Sequence, residues 1–122
     1  MKNENNFEEL SENCFIAKND SLKILKHMKK DSIDLILTDP PYNIGKFMQK
    51  RNTNMGKLRN NHFSASGWDN LSYDDWLKNM SKFFSESSRI IKNGGSVIIF
   101  MSIIKVETII KLAEKFGFYY KT

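Results

Sequence analysis

The sequence predicts an α/β fold with a mainly parallel sheet and flanking helices. Apolar runs that suit buried strands alternate with segments whose apolar residues recur at helical spacing. Alternation of this kind is typical of strand–helix–strand units, in which successive strands lie parallel. The two clearest strands are predicted at 33–37 and 96–101, where branched apolar residues dominate. We expect the strand at 33–37 to be covered on both faces, because its apolar residues are nearly continuous.

Composition indicates one globular domain. The chain has 122 residues, of which 40% are hydrophobic and 27% are charged. Its apolar runs are shorter than the roughly 18 residues of a membrane span, and residues 1–10 lack the apolar core of a signal peptide. The single cysteine, Cys14, forbids an internal disulfide and suits a reducing compartment, so we expect a cytoplasmic protein. We expect Cys14 to be a small core residue rather than a nucleophile.

The N-terminal residues are polar, and the fold is expected to follow them. We predict a polar arm over residues 1–12 and a folded part over 13–122. A strand is predicted at 14–18, followed by a helix with apolar residues at helical spacing. Asp20 precedes that helix, where its carboxylate can accept backbone N–H groups and favour the positive helix end.

A stiff turn follows the strand predicted at 33–37. It comprises Asp39, Pro40, Pro41 and Tyr42. The prolines donate no backbone N–H, so the sheet ladder cannot continue, and ligands of open α/β sheets bind at such strand ends. A carboxylate only accepts hydrogen bonds, the Pro40 carbonyl is a second rigid acceptor, and the Tyr42 ring can stack on a base. The turn therefore suits the amino group of a nucleobase.

A basic segment without acids follows the turn. Residues 43–67 contain no Asp or Glu, although the whole chain carries 14 of them against 19 Lys and Arg, a net charge of +5. Lysine and arginine bind phosphates independently of sequence, and asparagine can reach base edges. We predict nucleic-acid binding by Asn43, Lys46, Lys50, Arg51, Lys57 and Arg59. The alternative is a flexible, solvated loop without a binding role. The two interpretations are compatible if the loop is disordered in the free protein and becomes ordered on nucleic acid.

The next helix is predicted from a cap and an apolar stripe. Ser72 and Asp75 resemble a capping box. One helical face is formed by Trp76, Met80, Phe83, Phe84, Ser87, Ile90 and Ile91. The Asn-Gly-Gly segment at 93–95 is typical of a helix C-terminus, so the helix is predicted to end there.

A last helix is predicted at about 103–116, followed by a strand from 118. The helix positions expected to face inward are Val106, Ile109, Ile110, Ala113 and Phe116. Gly117 follows the last of them and is expected to end the helix.

The segment from Thr38 to Asn43 resembles the catalytic motif of DNA methyltransferases that modify exocyclic amino groups. Its Asp form is similar to the adenine-specific kind, since the cytosine-specific kind more often begins with Ser. The resemblance implies a partial Rossmann-like methyltransferase domain that takes a methyl group from S-adenosylmethionine, with double-stranded DNA as partner. It implies that Asp39 and the Pro40 carbonyl hold the amino group and that Tyr42 stacks on the base.

The resemblance also adds a role to two acids. Related enzymes carry Gly-Asp at the position of Asn19 and Asp20, where the acid contacts the adenosine part of the cofactor. Asp20 and Asp39 are therefore the implied cofactor-binding residues. The alternative for Asp20 is a helix cap alone. No metal is implied, because the two histidines, His27 and His62, lack a set of partner ligands.

The segment order resembles the front part of the permuted β class of these methyltransferases. None of the six glycines stands in the strand–Gly-x-Gly–helix context that grips a cofactor. We therefore expect an N-terminal portion, a truncated product or part of a longer chain, that lacks the cofactor loop and the target-recognition region. A C-terminal portion or a second chain would complete its site, and alone it would have little activity. The alternatives are a cytosine amino-group methyltransferase, a non-catalytic DNA-binding remnant, or a transferase acting on RNA or protein.

Overall fold

The structure is a computed structural model that describes residues 7–45 and 69–121. Along the chain, its elements are β1 (Phe7–Ser11), β2 (Cys14–Ala17), α1 (Ser21–His27), β3 (Ile33–Thr38), α2 (Tyr73–Ile90), β4 (Ile91–Ile99), a 3-10 helix (Ile103–Lys105) and α3 (Val106–Glu114). This arrangement of helices beside a parallel strand pair confirms the predicted α/β class. In the described ranges, no helix is long and apolar enough to cross a membrane.

The described residues form two separate pairs of strands. β3 and β4 run parallel, with Leu35 opposite Ser96 and Leu37 opposite Ile98. β1 and β2 form an antiparallel hairpin that is not hydrogen-bonded to the other pair. The parallel pairing predicted for β3 and the later strand is therefore present, whereas the first predicted strand joins a sheet of its own.

The hairpin changes two expectations about the N-terminus. Phe7–Ser11 lies within the segment expected to be a polar arm, yet it forms β1, and all five of its side chains are exposed. Backbone pairing with β2 therefore maintains this strand, rather than burial of its side chains. Cys14, expected in the core, is exposed, because no described element covers the hairpin.

The core lies between α2 and α3. The Ser72 hydroxyl accepts the Asp75 N–H at 3.1 Å, which confirms the predicted cap of α2. The buried cluster comprises Trp76, Met80 and Phe84 from α2 with Ile109 and Leu112 from α3. The apolar stripe predicted for α2 is thus confirmed from Trp76 to Ile90, whereas Ile91, its last predicted member, lies in β4.

The predicted end of α2 is wrong. The helix ends at Ile90, and β4 begins at once with Ile91, whose backbone is extended. Ile33 pairs with Ile91 but Leu35 pairs with Ser96, so the register shifts between these pairs. The extra residues of β4 form a bulge, and Gly94 adopts a φ of 82° there. The glycines therefore belong to a strand irregularity instead of a helix cap.

The C-terminal residues also differ from the prediction. α3 is preceded by a 3-10 turn and ends at Glu114. Residues 118–121 do not form the predicted strand, since no described strand lies beside them to complete a ladder. Phe118 instead packs on Phe84, with ring centroids 5.9 Å apart.

β3 is covered on one face only, contrary to expectation. Leu35 and Leu37 are 52% and 62% exposed, and Ile98 beside them is 48% exposed. On the opposite face, Ile99 packs against the core cluster. The face bearing Leu35, Leu37 and Ile98 has no described helix over it, because α2 and α3 build the core on the Ile99 side.

Candidate active site

The turn after β3 brings Asp39 and Tyr42 together. The sheet ladder ends where the Phe100 N–H donates to the Thr38 carbonyl at 3.0 Å. Beyond it, the Tyr42 hydroxyl donates to Asp39 Oδ1 at 2.6 Å. Asp39 is exposed, and no described residue donates to its second oxygen. Asp39 therefore presents one engaged and one open acceptor at the end of a strand.

The pKa of Tyr42 is raised above its usual value of 10.0. The hydrogen bond to Asp39 is the main cause, followed by partial burial and by the negative charges of Asp39 and Asp69. Each of these disfavours the phenolate. Tyr42 is consequently a neutral donor throughout the physiological pH range.

Trp76 anchors the turn through a hydrogen bond to its backbone. Its indole Nε1 donates to the Pro41 carbonyl at 2.8 Å, and the residue is only 1% exposed. This bond occupies the Pro41 carbonyl, whereas the Pro40 carbonyl receives no hydrogen bond from the described residues. The acceptor that the sequence assigned to substrate is thus the open one. Trp76 was predicted only as a core residue, and its anchoring role was missed.

Asp69 binds the backbone that directly follows the same turn. Its carboxylate accepts the Asn43 N–H at 2.6 Å and the Ile44 N–H at 3.4 Å. Its carbonyl also accepts the Gly45 N–H at 3.3 Å. Sequence reasoning missed this role, although a signal was available: Asp69 is the first acid after the acid-free segment at 43–67.

Of the six residues predicted to bind nucleic acid, one is among the residues that the structure describes. Asn43 belongs to the described residues, where its backbone N–H is bound by Asp69 and its φ is 53°. The other five, Lys46, Lys50, Arg51, Lys57 and Arg59, lie outside the described residues.

Asp20 lies apart from the turn. Its Oδ1 accepts the Leu22 N–H at 2.9 Å, which confirms the predicted cap of α1. The residue lines a groove between α1 and α2 that does not include Asp39. Both carboxylates keep an oxygen without a described donor, and this fits the hydroxyl and amino donors of a nucleoside. Among the described residues, no group of three or more His, Cys, Asp or Glu side chains could hold a metal.

Comparison with known families decides the assignment. The sequence profile described as DNA methylase (N6_N4_Mtase) matches residues 33–122, which include the turn, α2, β4 and α3. The chain belongs to this DNA methylase family. The family match covers both the Asp39–Tyr42 turn and Asp69.

Two curated proteins resemble this DNA methylase family member. The Type II methyltransferase M.HpaI of Haemophilus parainfluenzae is 31% identical over 103 residues, covering 84% of this chain and 28% of that protein. The DNA adenine methyltransferase YhdJ of Escherichia coli K12 is 34% identical over 87 residues, covering 71% of this chain and 24% of that protein. The chain thus spans about a quarter of the length of these relatives.

Proposed function

We propose that the chain is the N-terminal part of a β-class DNA methyltransferase that transfers a methyl group from S-adenosylmethionine to the exocyclic amino group of adenine. The observation that carries the proposal is the turn after β3, where an exposed Asp39 carboxylate, an open Pro40 carbonyl and the Tyr42 ring stand together. Membership of the DNA methylase family supports it. The names of the two relatives, one a Type II and one an adenine methyltransferase, support a place in DNA modification and favour adenine.

The turn supplies two acceptors for one amino group. An exocyclic amino group has two hydrogens, and its lone pair is delocalised into the ring. Asp39 Oδ2 and the Pro40 carbonyl accept these two hydrogens, orient the nitrogen and draw it toward a tetrahedral shape. Asp39 then holds the proton that the nitrogen loses on methylation. The transfer is direct, and no covalent bond forms to the protein.

Tyr42 provides the stacking surface for the base. A base inside a duplex has to leave the stack before its amino group is reached, at a cost of a few kcal/mol. Stacking on an aromatic ring offsets part of that cost, at about 1–3 kcal/mol for each base. The hydroxyl bond to Asp39 fixes the distance between this ring and the acceptor carboxylate.

The cofactor would be held in part by Asp20 and Asp39. S-adenosylmethionine, when bound, supplies an electrophilic methyl group. The open carboxylate oxygens of Asp20 and Asp39 suit its hydroxyl and amino donors. Because none of the chain's glycines stands in a Gly-x-Gly loop, we propose that further segments of a longer protein or a second chain complete the cofactor site.

DNA would be bound beside the turn. We propose that Asn43 and the cations Lys46, Lys50, Arg51, Lys57 and Arg59 contact the duplex, chiefly through its phosphates. Binding should then weaken steeply as salt rises.

The test compares Asp39→Ala with Glu114→Ala, an exposed acid at the end of α3. Methyl transfer from labelled S-adenosylmethionine to unmethylated genomic DNA is measured at high protein concentration, and DNA affinity is measured separately. Asp39→Ala should abolish the small transfer of the wild-type chain with DNA affinity unchanged, because a transition-state contact is lost. Glu114→Ala should change neither quantity.

Other outcomes separate the alternatives. Mass analysis of the methylated nucleosides distinguishes N6-methyladenine from N4-methylcytosine. A DNA-binding remnant would show no transfer and lose DNA binding only when Lys50, Arg51 and Lys57 are neutralised. Robust methylation by the 122-residue chain alone would contradict the proposal that it is an incomplete part.

A further inference from the structure

Asp69 reaches the turn from the far end of a long connection. It lies 26 residues after Asn43, yet its two carboxylate oxygens accept the N–H groups of Asn43 and Ile44 at 2.6 and 3.4 Å. All three residues are half-buried. The bond to Asn43 is short, as expected when the acceptor is charged.

The backbone that Asp69 holds has an uncommon conformation. Asn43 has a φ of 53°, in the left-handed region that few residues other than glycine adopt. Successive N–H groups in a conformation of this kind point toward a common centre and form a small anion-binding concavity. The Asp69 carboxylate occupies that centre. The turn therefore carries its own anion, supplied by a residue outside it.

Asp69 and Trp76 together fix both peptide groups of Tyr42. The peptide before Tyr42 contains the Pro41 carbonyl, which accepts from Trp76 Nε1 at 2.8 Å. The peptide after Tyr42 contains the Asn43 N–H, which donates to Asp69. With both peptide planes anchored, the φ and ψ of Tyr42 are determined. Only its side-chain torsions remain, and the hydroxyl bond to Asp39 restrains those.

We propose that Asp69 is a positioning residue that holds the Tyr42 ring and the Asp39 carboxylate in the geometry that accepts a base. This inference rests on the proposed function, since it assigns Asp69 a role in the same site. Asp69 acts through the backbone of Asn43 and Ile44. Removing its charge frees the second peptide plane, so the ring samples several orientations and the base loses its stacking surface.

The first experiment measures the anchor itself in the 122-residue chain by NMR. In the wild-type protein, the amide proton of Asn43 should exchange slowly with solvent, because it is hydrogen-bonded to the half-buried Asp69 carboxylate, and this measurement requires no substitution. In Asp69→Asn this exchange should become faster and the Tyr42 ring signals should broaden. The matched control is Asp31→Asn, an exposed acid at another position of positive φ, at 52°. A wild-type Asn43 amide that exchanges as fast as an amide without a hydrogen bond, or an unchanged Tyr42 signal in Asp69→Asn, overturns the proposal.

The second experiment measures base recognition. Two labelled oligothymidine strands are compared, one with a central adenine and one with an abasic site at that position; single strands avoid the cost of opening a duplex. Asp69→Asn should lower the preference for adenine by about tenfold, the effect of losing one hydrogen bond to a charged group. The affinity of Asp69→Asn for the abasic strand should equal that of the wild-type protein. The Asp31→Asn protein should bind both strands as the wild-type protein does.

The two experiments fail in different ways. A wild-type chain without preference for the adenine strand contradicts the proposed function, whatever Asp69 does. A wild-type preference that Asp69→Asn leaves intact contradicts the positioning role alone. If Asp69→Asn unfolds, two measurements still decide the question: the exchange of the wild-type Asn43 amide, and the adenine preference of Asp69→Glu, which keeps the charge and should retain part of that preference.

Discussion

At the scale of single residues, the hydroxyl of Tyr42 determines how the turn presents its acceptors. It occupies Asp39 Oδ1 and so leaves Oδ2 as the acceptor for an incoming group. The identity of the turn residues was predictable, because Asp, Pro, Pro and Tyr follow one another in the sequence. The hydrogen bonds that Trp76 and Asp69 make to the turn backbone were not, because these residues are 35 and 26 residues away from the groups they bind.

We expect Asp39→Asn to lower the pKa of Tyr42 toward its usual value of 10.0, because the substitution removes the negative charge beside the phenolate. The measurement is a pH titration of the Tyr42 ring carbon bearing the hydroxyl, by NMR. Since the folded-state pKa is raised, the hydrogen bond stabilises the fold below about pH 10 and its contribution is lost as pH rises through the raised pKa. Asp31→Asn should leave the titration unchanged, and an unaltered pKa in Asp39→Asn would contradict the assignment.

We expect Ser87→Ala to stabilise the protein. Ser87 is fully buried, and its hydroxyl has no hydrogen-bond partner among the described residues. Alanine removes that unpaired group and has the higher helix propensity, so the free energy of unfolding in urea should rise by about 0.5–1 kcal/mol. Ser85→Ala, at an exposed position of α2, reports helix propensity alone and should give the smaller gain. A loss of stability in Ser87→Ala would show that the hydroxyl has a partner.

At the scale of elements, Arg89 of α2 completes the end of α1. α1 has seven residues, too few to be stable alone, and none of them is buried. The guanidinium donates to the carbonyls of Leu25 and Met28 at 2.8 Å and to that of Lys26 at 3.3 Å. These are carbonyls that a helix C-terminus leaves without an internal partner. Arg89 therefore joins the two helices.

We expect Arg89→Lys to loosen α1 while α2 stays intact. Lysine keeps the positive charge beside Glu86 but lacks the planar guanidinium that binds several carbonyls at once. The loss of unfolding free energy therefore measures the contribution of the carbonyl contacts. The free energy of unfolding should fall by about 1–2 kcal/mol, and α1 amides should exchange hydrogen faster than those of α2. Lys82→Ala, on the exposed side of α2, is the control for a changed cation. Equal exchange in α1 before and after the substitution would rule out this role.

Local signals predicted the elements, and long-range pairing decided what the prediction missed. The caps at Asp20 and Ser72 are determined by neighbours within three residues, and both were predicted. An Asn-Gly-Gly segment suits either a helix end or a bulge, and pairing with β3 selects the bulge at Gly94. Arg89 has no sequence signature, because its partners lie more than 60 residues away.

At the scale of the whole molecule, the described fold has one covered and one open sheet face. Trp76, Phe84 and their neighbours fill the covered side, whereas Leu37 and Ile98 remain about half exposed on the other. The apolar pattern of β3 predicted burial on both faces, since composition reports what a strand tolerates and not which elements lie over it.

We expect substitutions on the two sides to differ strongly in cost. Replacing Phe84, which is 1% exposed, by Ala should lower the free energy of unfolding by about 3–5 kcal/mol. Leu37→Ala, on the open face, should cost under about 1 kcal/mol in the isolated chain, because the side chain is largely hydrated in the folded state. Urea denaturation of both variants tests the asymmetry. Comparable losses would mean that the open face is covered in solution.

Gly45 and Asp69, at the two ends of a long connection, are in direct contact. The Gly45 N–H donates to the Asp69 carbonyl at 3.3 Å, and a Cβ at position 45 would collide with the Asn70 side chain. The described residues at the two ends of this connection thus lie side by side. Because closing a loop costs only about 0.6 kcal/mol more for each doubling of its length, a change in the number of residues between Gly45 and Asp69 should cost the fold little. The turn is therefore compatible with connections of different length between these two residues.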